Sequence, residues 1–299
     1  MKRQGNEENE YPKSPEKKQE RPSRDDNVGF ESLPLELLPH TLKDYDALKI
    51  TSTISRKIRG TLRENILRKA SWNADGGDPP EGIIVIHNVK SLIGLRLPST
   101  LREIRFHNKF NEPVDNLPQT VTHIIFGYSF NQSVDKLPQT VTHITFGYKF
   151  NQSVDNLPQT MTHITFGLEF NQSVDNLPQR VTHINFGDYF DQSVDNLPQT
   201  VTHITFGYKF NRSVDNLPQT VTHITFGEFF DQPVDKLPQT VTHITFGDLF
   251  DRSVDKLPRT VTHITFGDNF NQSVDNLPQT VTHIRYQILS KFLFPSRVR

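Results

Sequence analysis

A histidine stands at every twentieth position from His123 to His283, nine in all, and an aspartate does the same from Asp115 to Asp275. Imidazole is the commonest transition-metal ligand and the side chain that titrates nearest neutrality. A row of them is therefore a candidate metal or ligand array. Serine also recurs beside them in most copies, so those copies hold the residue types of a nucleophilic triad, as in His123, Ser133 and Asp135. The repetition argues against both chemistries. A triad needs one asymmetric pocket, and identical copies offer many equal environments. No second ligand type stands at a fixed spacing beside the histidines, and the chain has no cysteine for a thiolate site. A calcium-binding β-roll needs a glycine-rich nonapeptide, which is absent. The histidines read instead as outward imidazoles stacked beside threonines. The aspartates read as caps for turn amides. No catalytic residue, cofactor or metal ligand is assigned.

The element that positions these residues is a repeat. Its clearest copy is Leu117 to Lys136, LPQTVTHIIFGYSFNQSVDK, and the prolines from Pro98 to Pro278 hold its period at twenty residues without insertion. Self-similarity at a short fixed period predicts a solenoid, with one copy per coil. Within the copy, Thr122 to Phe126 alternates with period two and is rich in β-branched and aromatic residues, the signature of a strand. Ile124 and Phe126 point inward, and His123 points outward. Leu117, Val121, Phe130 and Val134 complete six inward positions. Gly127 is expected to turn the chain with φ > 0. The return side, Phe130 to Lys136, is too short for a long helix and is expected to form turns. The fold class is a repeat solenoid with one parallel β-strand per twenty-residue coil, preceded by a small helical N-terminal unit.

Composition agrees. Only 34% of the 299 residues are apolar, low for a compact globule but tolerable where every coil exposes much of itself. The formal net charge is −1, which favours neither nucleic acid nor an anionic membrane as partner. The N-terminus has no apolar h-region and no stretch is long enough to span a bilayer, so a cytoplasmic or nuclear protein is expected. The sequons at Asn131, Asn151, Asn171, Asn211 and Asn271 are then expected to stay bare.

Residues 1–29 read as a disordered charged tail; the first 27 hold seven acidic and seven basic side chains. Residues 30–70 form a helical unit. From Ile50 through Ile54, Ile58, Leu62 and Ile66 the apolar spacing is three to four. Residues 71–82, with Asp75-Gly76-Gly77-Asp78-Pro79-Pro80, read as a linker. The solenoid spans 83–286. Its first coil is degenerate, with Ile84 and Ile86 twenty residues ahead of Ile104 and Phe106. Residues 287–299, with Ile288, Leu289, Phe292, Leu293 and Phe294, read as a C-terminal cap over the last coil.

Two resemblances follow from these residues. The alternation of F-N-Q-S/P-V, as in Phe130-Asn131-Gln132-Ser133-Val134, with L-P-x-T-V-T-H-I-T-F-G resembles the FNIP repeat family, and Phe110-Asn111-Glu112-Pro113-Val114 and Phe230-Asp231-Gln232-Pro233-Val234 keep its proline. That resemblance implies a leucine-rich-repeat-like interaction protein, of a kind found in amoebae and the large viruses that infect them, with no enzyme activity. The run Leu33-Pro34, Glu36, Leu38, Leu42, Asp46, Leu48 and Ser55-Arg56-Lys57 resembles an F-box. That implies docking on a Skp-type adaptor of a cullin ubiquitin ligase, through Leu33, Pro34, Leu37 and Leu38. The other reading of residues 30–70 is a helical cap on the open end of the solenoid.

Two further columns bear on function. Asn111 to Asn271 form a row that donates and accepts between coils, and Asp191, Asp231 and Asp251 interrupt it; a carboxylate cannot donate, so either those coils are expected to be weaker or the ladder is more exposed than in ordinary leucine-rich repeats. Positions 128 and 129 and their equivalents vary most between copies. They place Tyr128, Tyr148, Leu168, Tyr189, Tyr208, Phe229 and Leu249 in the turn after the strand, as a partner-binding rim. The sequence thus reads as a protein–protein interaction scaffold, in its sharper form a substrate receptor of a cullin-type ubiquitin ligase. The alternatives are a structural spacer and a metal- or ligand-binding histidine array.

Overall fold

The computed structural model describes residues 71–74, 78–80 and 82–287. The segments expected to form a charged tail (1–29) and a helical unit (30–70), and all but Gln287 of the one expected to form a cap (287–299), lie outside the described residues. Twelve strands form one sheet in sequence order, each parallel to its neighbours: β1 (Ser71–Asn73), β2 (Val85–Val89), β3 (Glu103–Phe106), β4 (His123–Ile125), β5 (His143–Thr145), β6 (His163–Thr165), β7 (His183–Asn185), β8 (His203–Thr205), β9 (His223–Thr225), β10 (His243–Thr245), β11 (His263–Phe266) and β12 (His283–Tyr286). From β3 on, the register equals the sequence period, with His143 opposite His163 and Ile144 opposite Ile164.

Each coil is one short strand and three turns. The turns close through Val121 N–H to the Pro118 carbonyl at 3.1 Å, Phe130 N–H to Gly127 at 3.3 Å and Leu137 N–H to Val134 at 3.4 Å. The proline therefore opens a turn by offering its carbonyl, and its missing N–H costs nothing there. The six inward positions are all buried: Leu117, Val121, Ile124, Phe126, Phe130 and Val134 are 0–4% exposed. They join the equivalents in other coils in one continuous core. Phe126 and Phe130 stack within the coil at 3.7 Å, and Phe130 meets Phe150 of the next coil at 6.0 Å. Removing one such ring, as in Phe170→Ala, is the kind of change that costs about 3–5 kcal/mol.

Ring spacing reveals curvature. Phenylalanines of successive coils lie about 6 Å apart, as in Phe150–Phe170 at 6.0 Å, whereas the outward histidines lie 4.3 Å apart. Pure translation would make the two spacings equal. Successive coils are therefore wedge-shaped, narrow at the strand, and the histidine face is the concave side.

Three expectations need correction. Gly127 and its equivalents do not have positive φ; among described glycines only Gly82 and Gly94 do. The reason for glycine is contact between coils. A Cβ on Gly167 would lie 1.7 Å from the Gly147 carbonyl oxygen, and on Gly187 1.8 Å from that of Gly167. Second, the first coil is out of phase with the period: Ile86 pairs with Ile104, not Phe106, and Val89 pairs with Phe106. Two residues separate the partners on β3 and three on β2, so β2 carries a bulge, and Asn88 absorbs it at φ 60°. The inward residues of that coil are Ile83, Ile86 and Val89. Third, the segment 71–82 read as a linker opens with β1, which pairs with β2 and lays Trp72 opposite Ile86.

The glycine contact generates a test. Gly167→Ala forces a methyl group into backbone that has no rotamer to yield. It is expected to destabilise by ~3 kcal/mol or more, beyond the range of ordinary surface changes. Chemical denaturation measures this. A loss below about 1 kcal/mol would show that the coils are not in this contact.

Candidate functional site

The histidine column is continuous from His123 to His283. Adjacent rings are nearly parallel, at 4.3 Å and 11° for His143–His163 and 4.2 Å and 6° for His263–His283. Each Nδ1 is held by the preceding threonine, as in Thr142 Oγ1 to His143 Nδ1 at 2.8 Å. The same hydroxyl lies 3.2 Å from the Thr122 carbonyl of the coil before. A neutral ring either accepts from the hydroxyl at Nδ1 or, as the Nδ1–H tautomer, donates to it while the hydroxyl donates to the carbonyl and Nε2 keeps its lone pair; a protonated ring donates in the same way. Either state keeps the contact, and Nε2 is the nitrogen that faces out.

This geometry suits packing better than metal binding. Rings stacked face to face aim their Nε2 lone pairs in parallel, and an ion about 2.0–2.1 Å from each nitrogen needs them to converge. Among the described residues no three histidine, aspartate or glutamate side chains are gathered so as to hold an ion. A shallow depression of about 250 Å³ lies on the concave face, lined by His163, His183, His203, Thr165, Asn185 and Thr205. It is part of the same regular face, at the coil where Asn185 replaces threonine.

Burial, then neighbouring imidazoles, hold His143, His163, His183, His203 and His223 below the ordinary histidine value of 6.5. The column has few charged neighbours of other kinds. Glu103, paired with Arg105, precedes it on β3, and Arg285 follows on β12.

The aspartates and serines are engaged with each other, away from the histidines. Ser153 Oγ donates to Asp155 Oδ2 at 2.9 Å, and the Asp155 N–H donates back to Ser153 Oγ at 3.2 Å. The other oxygen accepts from the next coil, from Asn176 Nδ2 at 3.2 Å. Where lysine replaces asparagine, an ion pair forms instead, as in Lys236–Asp215 at 2.8 Å. The serine, histidine and aspartate of a copy are thus never assembled as a triad: one pair closes a turn and the other side chain joins the strand face.

The asparagine row uses only its acceptor toward the next backbone. Asn151 N–H donates to Asn131 Oδ1 at 2.9 Å, and Gln152 Nε2 joins it at 3.1 Å. A side chain spans the gap here because the coils splay apart on this side. Asp191, Asp231 and Asp251 keep this acceptor role, so the ladder does not need the donor that a carboxylate lacks. Asp191 accepts from Asn211 N–H at 3.1 Å, and Asp251 from Asn271 N–H at 2.9 Å. The following glutamine becomes arginine in two cases, giving Arg212–Asp191 at 3.0 Å and Arg252–Asp231 at 2.9 Å. At Asp251 the Asn271 amide, then Gln272, lower the carboxyl's pKa. The signal was present in the sequence: an arginine twenty-one residues after an aspartate.

The rim residues form a ridge along one edge of the concave face. Tyr128, Tyr189, Tyr208, Phe229 and Leu249 are 38–47% exposed, and Tyr148 and Leu168 are half-buried. Tyr128 stacks on Tyr148 at 4.6 Å, and Tyr208 leans on Phe229 at 4.6 Å. The turn backbone is fixed independently of these side chains, by bonds such as Lys149 N–H to the Tyr128 carbonyl at 3.0 Å. The adaptor-docking residues Leu33, Pro34, Leu37 and Leu38 lie outside the described residues.

Comparison with known proteins agrees with this geometry. FNIP repeats match residues 87–129, 130–169, 170–209, 194–229, 210–249 and 250–285, each match about two coils long. The chain belongs to the FNIP repeat family. Among solved structures it is similar to CroV588, described as a novel circular leucine-rich-repeat protein, with 28% identity and a TM-score of 0.54 over 70% of this chain. The chain spans 41% of that protein's length. A leucine-rich-repeat protein from Bacteroides ovatus also aligns, at 12% identity and a TM-score of 0.27 over 74% of this chain and 70% of that one. No curated protein matches the chain. The solenoid is thus of leucine-rich-repeat type, and among the described residues no helix is long and apolar enough to cross a membrane.

The histidine column generates a pH test. A folded pKa below the unfolded value means that the fold favours the neutral ring. The stability this gives is fully present above the unfolded value, ~6.5, and is lost as pH falls through the folded one. The thermal midpoint is expected to drop as pH falls below about 6.5. Replacing His143, His163, His183 and His203 by Gln is expected to flatten that dependence. Histidine NMR titrations centred at or above ~6.5 contradict it.

Proposed function

We propose that the chain is a non-enzymatic protein–protein interaction scaffold whose partner binds along the turn ridge. The observation that carries this is where the copies differ. Inward positions and ladder positions are nearly constant, while the two ridge positions change from coil to coil and keep one apolar side chain each from Tyr128 to Leu249. An exposed, contiguous apolar strip is characteristic of interaction surfaces, and stacked repeats commonly present extended concave binding faces. A structural spacer has no need for this strip.

The ridge predicts a separation of binding from stability. Replacing Tyr148, Tyr189, Tyr208 and Phe229 together by serine is expected to change stability by about 0.5 kcal/mol or less per site. Capture of partners from a eukaryotic lysate is expected to be lost. A collapse of the thermal midpoint would place these residues in the core.

The sharper form is a substrate receptor of a cullin-type ubiquitin ligase, acting in the cytoplasm or nucleus. Its support is the F-box resemblance of Leu33-Pro34 to Ser55-Arg56-Lys57 ahead of a repeat array. Leu33→Asp with Pro34→Ala is expected to abolish binding of a Skp-type adaptor and leave the solenoid folded. If the full chain binds no such adaptor at micromolar concentration, that form fails. Aggregation on deleting residues 30–70 would favour the cap instead.

A further inference from the structure

The ridge is not electrically uniform. In the position that opens each turn, the earlier coils carry Tyr128, Tyr148 and Leu168. The later coils carry Asp188, Tyr208, Glu228, Asp248 and Asp268. At three of the four acidic copies the apolar side chain moves to the next residue: Asp188-Tyr189, Glu228-Phe229, Asp248-Leu249. Each of those three carboxylates therefore stands beside an exposed apolar group.

The chain itself shows what such a surface accepts. The Lys209 ammonium lies 4.1 Å from the centre of the Tyr189 ring, and that of Lys149 lies 5.9 Å from Tyr128. A cation over a ring face is attracted by the ring quadrupole. Beyond Lys209 the two ridge positions supply no further cation: they read Glu228-Phe229, Asp248-Leu249 and Asp268-Asn269. The nearby Arg212 and Arg252 are engaged with Asp191 and Asp231 in the asparagine row. The Tyr208 hydroxyl donates to Glu228 at 3.2 Å, which fixes the carboxylate beside the aromatic pair.

We propose that the later half of the ridge, from Tyr208 to Leu249, docks a cationic segment of another protein, in which arginine or lysine alternates with aliphatic residues. Its aliphatic side chains lie on Phe229 and Leu249. Its cations meet Glu228 and Asp248 and the open aromatic faces. An extended segment places same-face side chains ~6.6–6.8 Å apart, a longer step than the ~4.8 Å between strands. The long, flexible arms of arginine and lysine absorb that mismatch, so recognition depends on charge and apolar content more than on strict register. This proposal rests on the ridge being the binding surface.

The test uses the full chain and two fluorescein-labelled peptides, one alternating arginine with leucine and one alternating glutamate with leucine, followed by fluorescence anisotropy. The arginine–leucine peptide is expected to bind and to weaken with added salt. Glu228→Lys with Asp248→Lys is expected to weaken it about tenfold or more. Phe229→Ser with Leu249→Ser is also expected to weaken it, and circular dichroism should show both variants folded. Equal binding of the two peptides, or indifference to charge reversal, overturns the cationic preference. If the glutamate–leucine peptide binds instead and is lost on Phe229→Ser with Leu249→Ser, the ridge stands as a surface and this inference falls. If neither peptide responds to any ridge substitution, both fall.

Discussion

The structure depends on one close approach: the carbonyl of each glycine lies where a Cβ on the next coil's glycine would have to be. On Gly227 that Cβ would fall 1.9 Å from the Gly207 oxygen, and on Gly247 2.0 Å from the Gly227 oxygen. Backbone cannot move aside as a flexible side chain can. The contact therefore fixes the register of the coils from Gly127 to Gly267, and the constant register is what turns each sequence column into a spatial ladder. Stacked phenylalanines fill the inside, stacked imidazoles line the concave face, and carboxylates, amides and hydroxyls bridge the turns. Each coil contacts its neighbours, so stability is built up from coil cores and interfaces between adjacent coils.

The ladders commit most polar side chains of the repeat to one another. Thr142 is committed to His143 and to the coil before; Asp155 is committed to Ser153 and Asn176; Asn131 is committed to the Asn151 amide. Such columns can change in complementary ways, as when Asp191 is followed by Arg212. The two ridge positions escape this, because the backbone of their turn bonds to the preceding coil whatever the side chain. Variation collects where structure makes no demand, and exposed apolar groups such as Tyr208 and Phe229 collect there too. That coincidence is the basis of the functional reading.

Much of this was legible in the sequence. The period, the strand at His123–Ile125 and the six inward residues follow from the spacing of apolar side chains, which reports burial directly. The role of Gly127 did not follow, because positive φ and close backbone approach both demand glycine and a sequence does not distinguish them. The first coil was misphased because a bulge at Asn88 breaks the spacing from which phase is read. Strand β1 was hidden because Ser71-Trp72-Asn73 has no repeated counterpart. The acceptor-only use of the asparagine row was missed by counting what an amide can do instead of what its neighbours require. The serine–aspartate pairing, two residues apart on one turn, is the local reading that displaces the triad.

If register between equal coils is the governing constraint, coils are interchangeable units and their number is not critical. The most direct measurement is the thermal midpoint and far-ultraviolet circular dichroism of a chain lacking residues 157–176, one whole coil from Leu157 to Asn176. The account predicts a folded solenoid with unchanged spectral shape and a midpoint close to that of the full chain, because Leu137–Asn156 then stacks on Leu177 with every ladder in phase. Loss of the cooperative transition, or aggregation of the shortened chain, would contradict it and show that the fold depends on a particular coil.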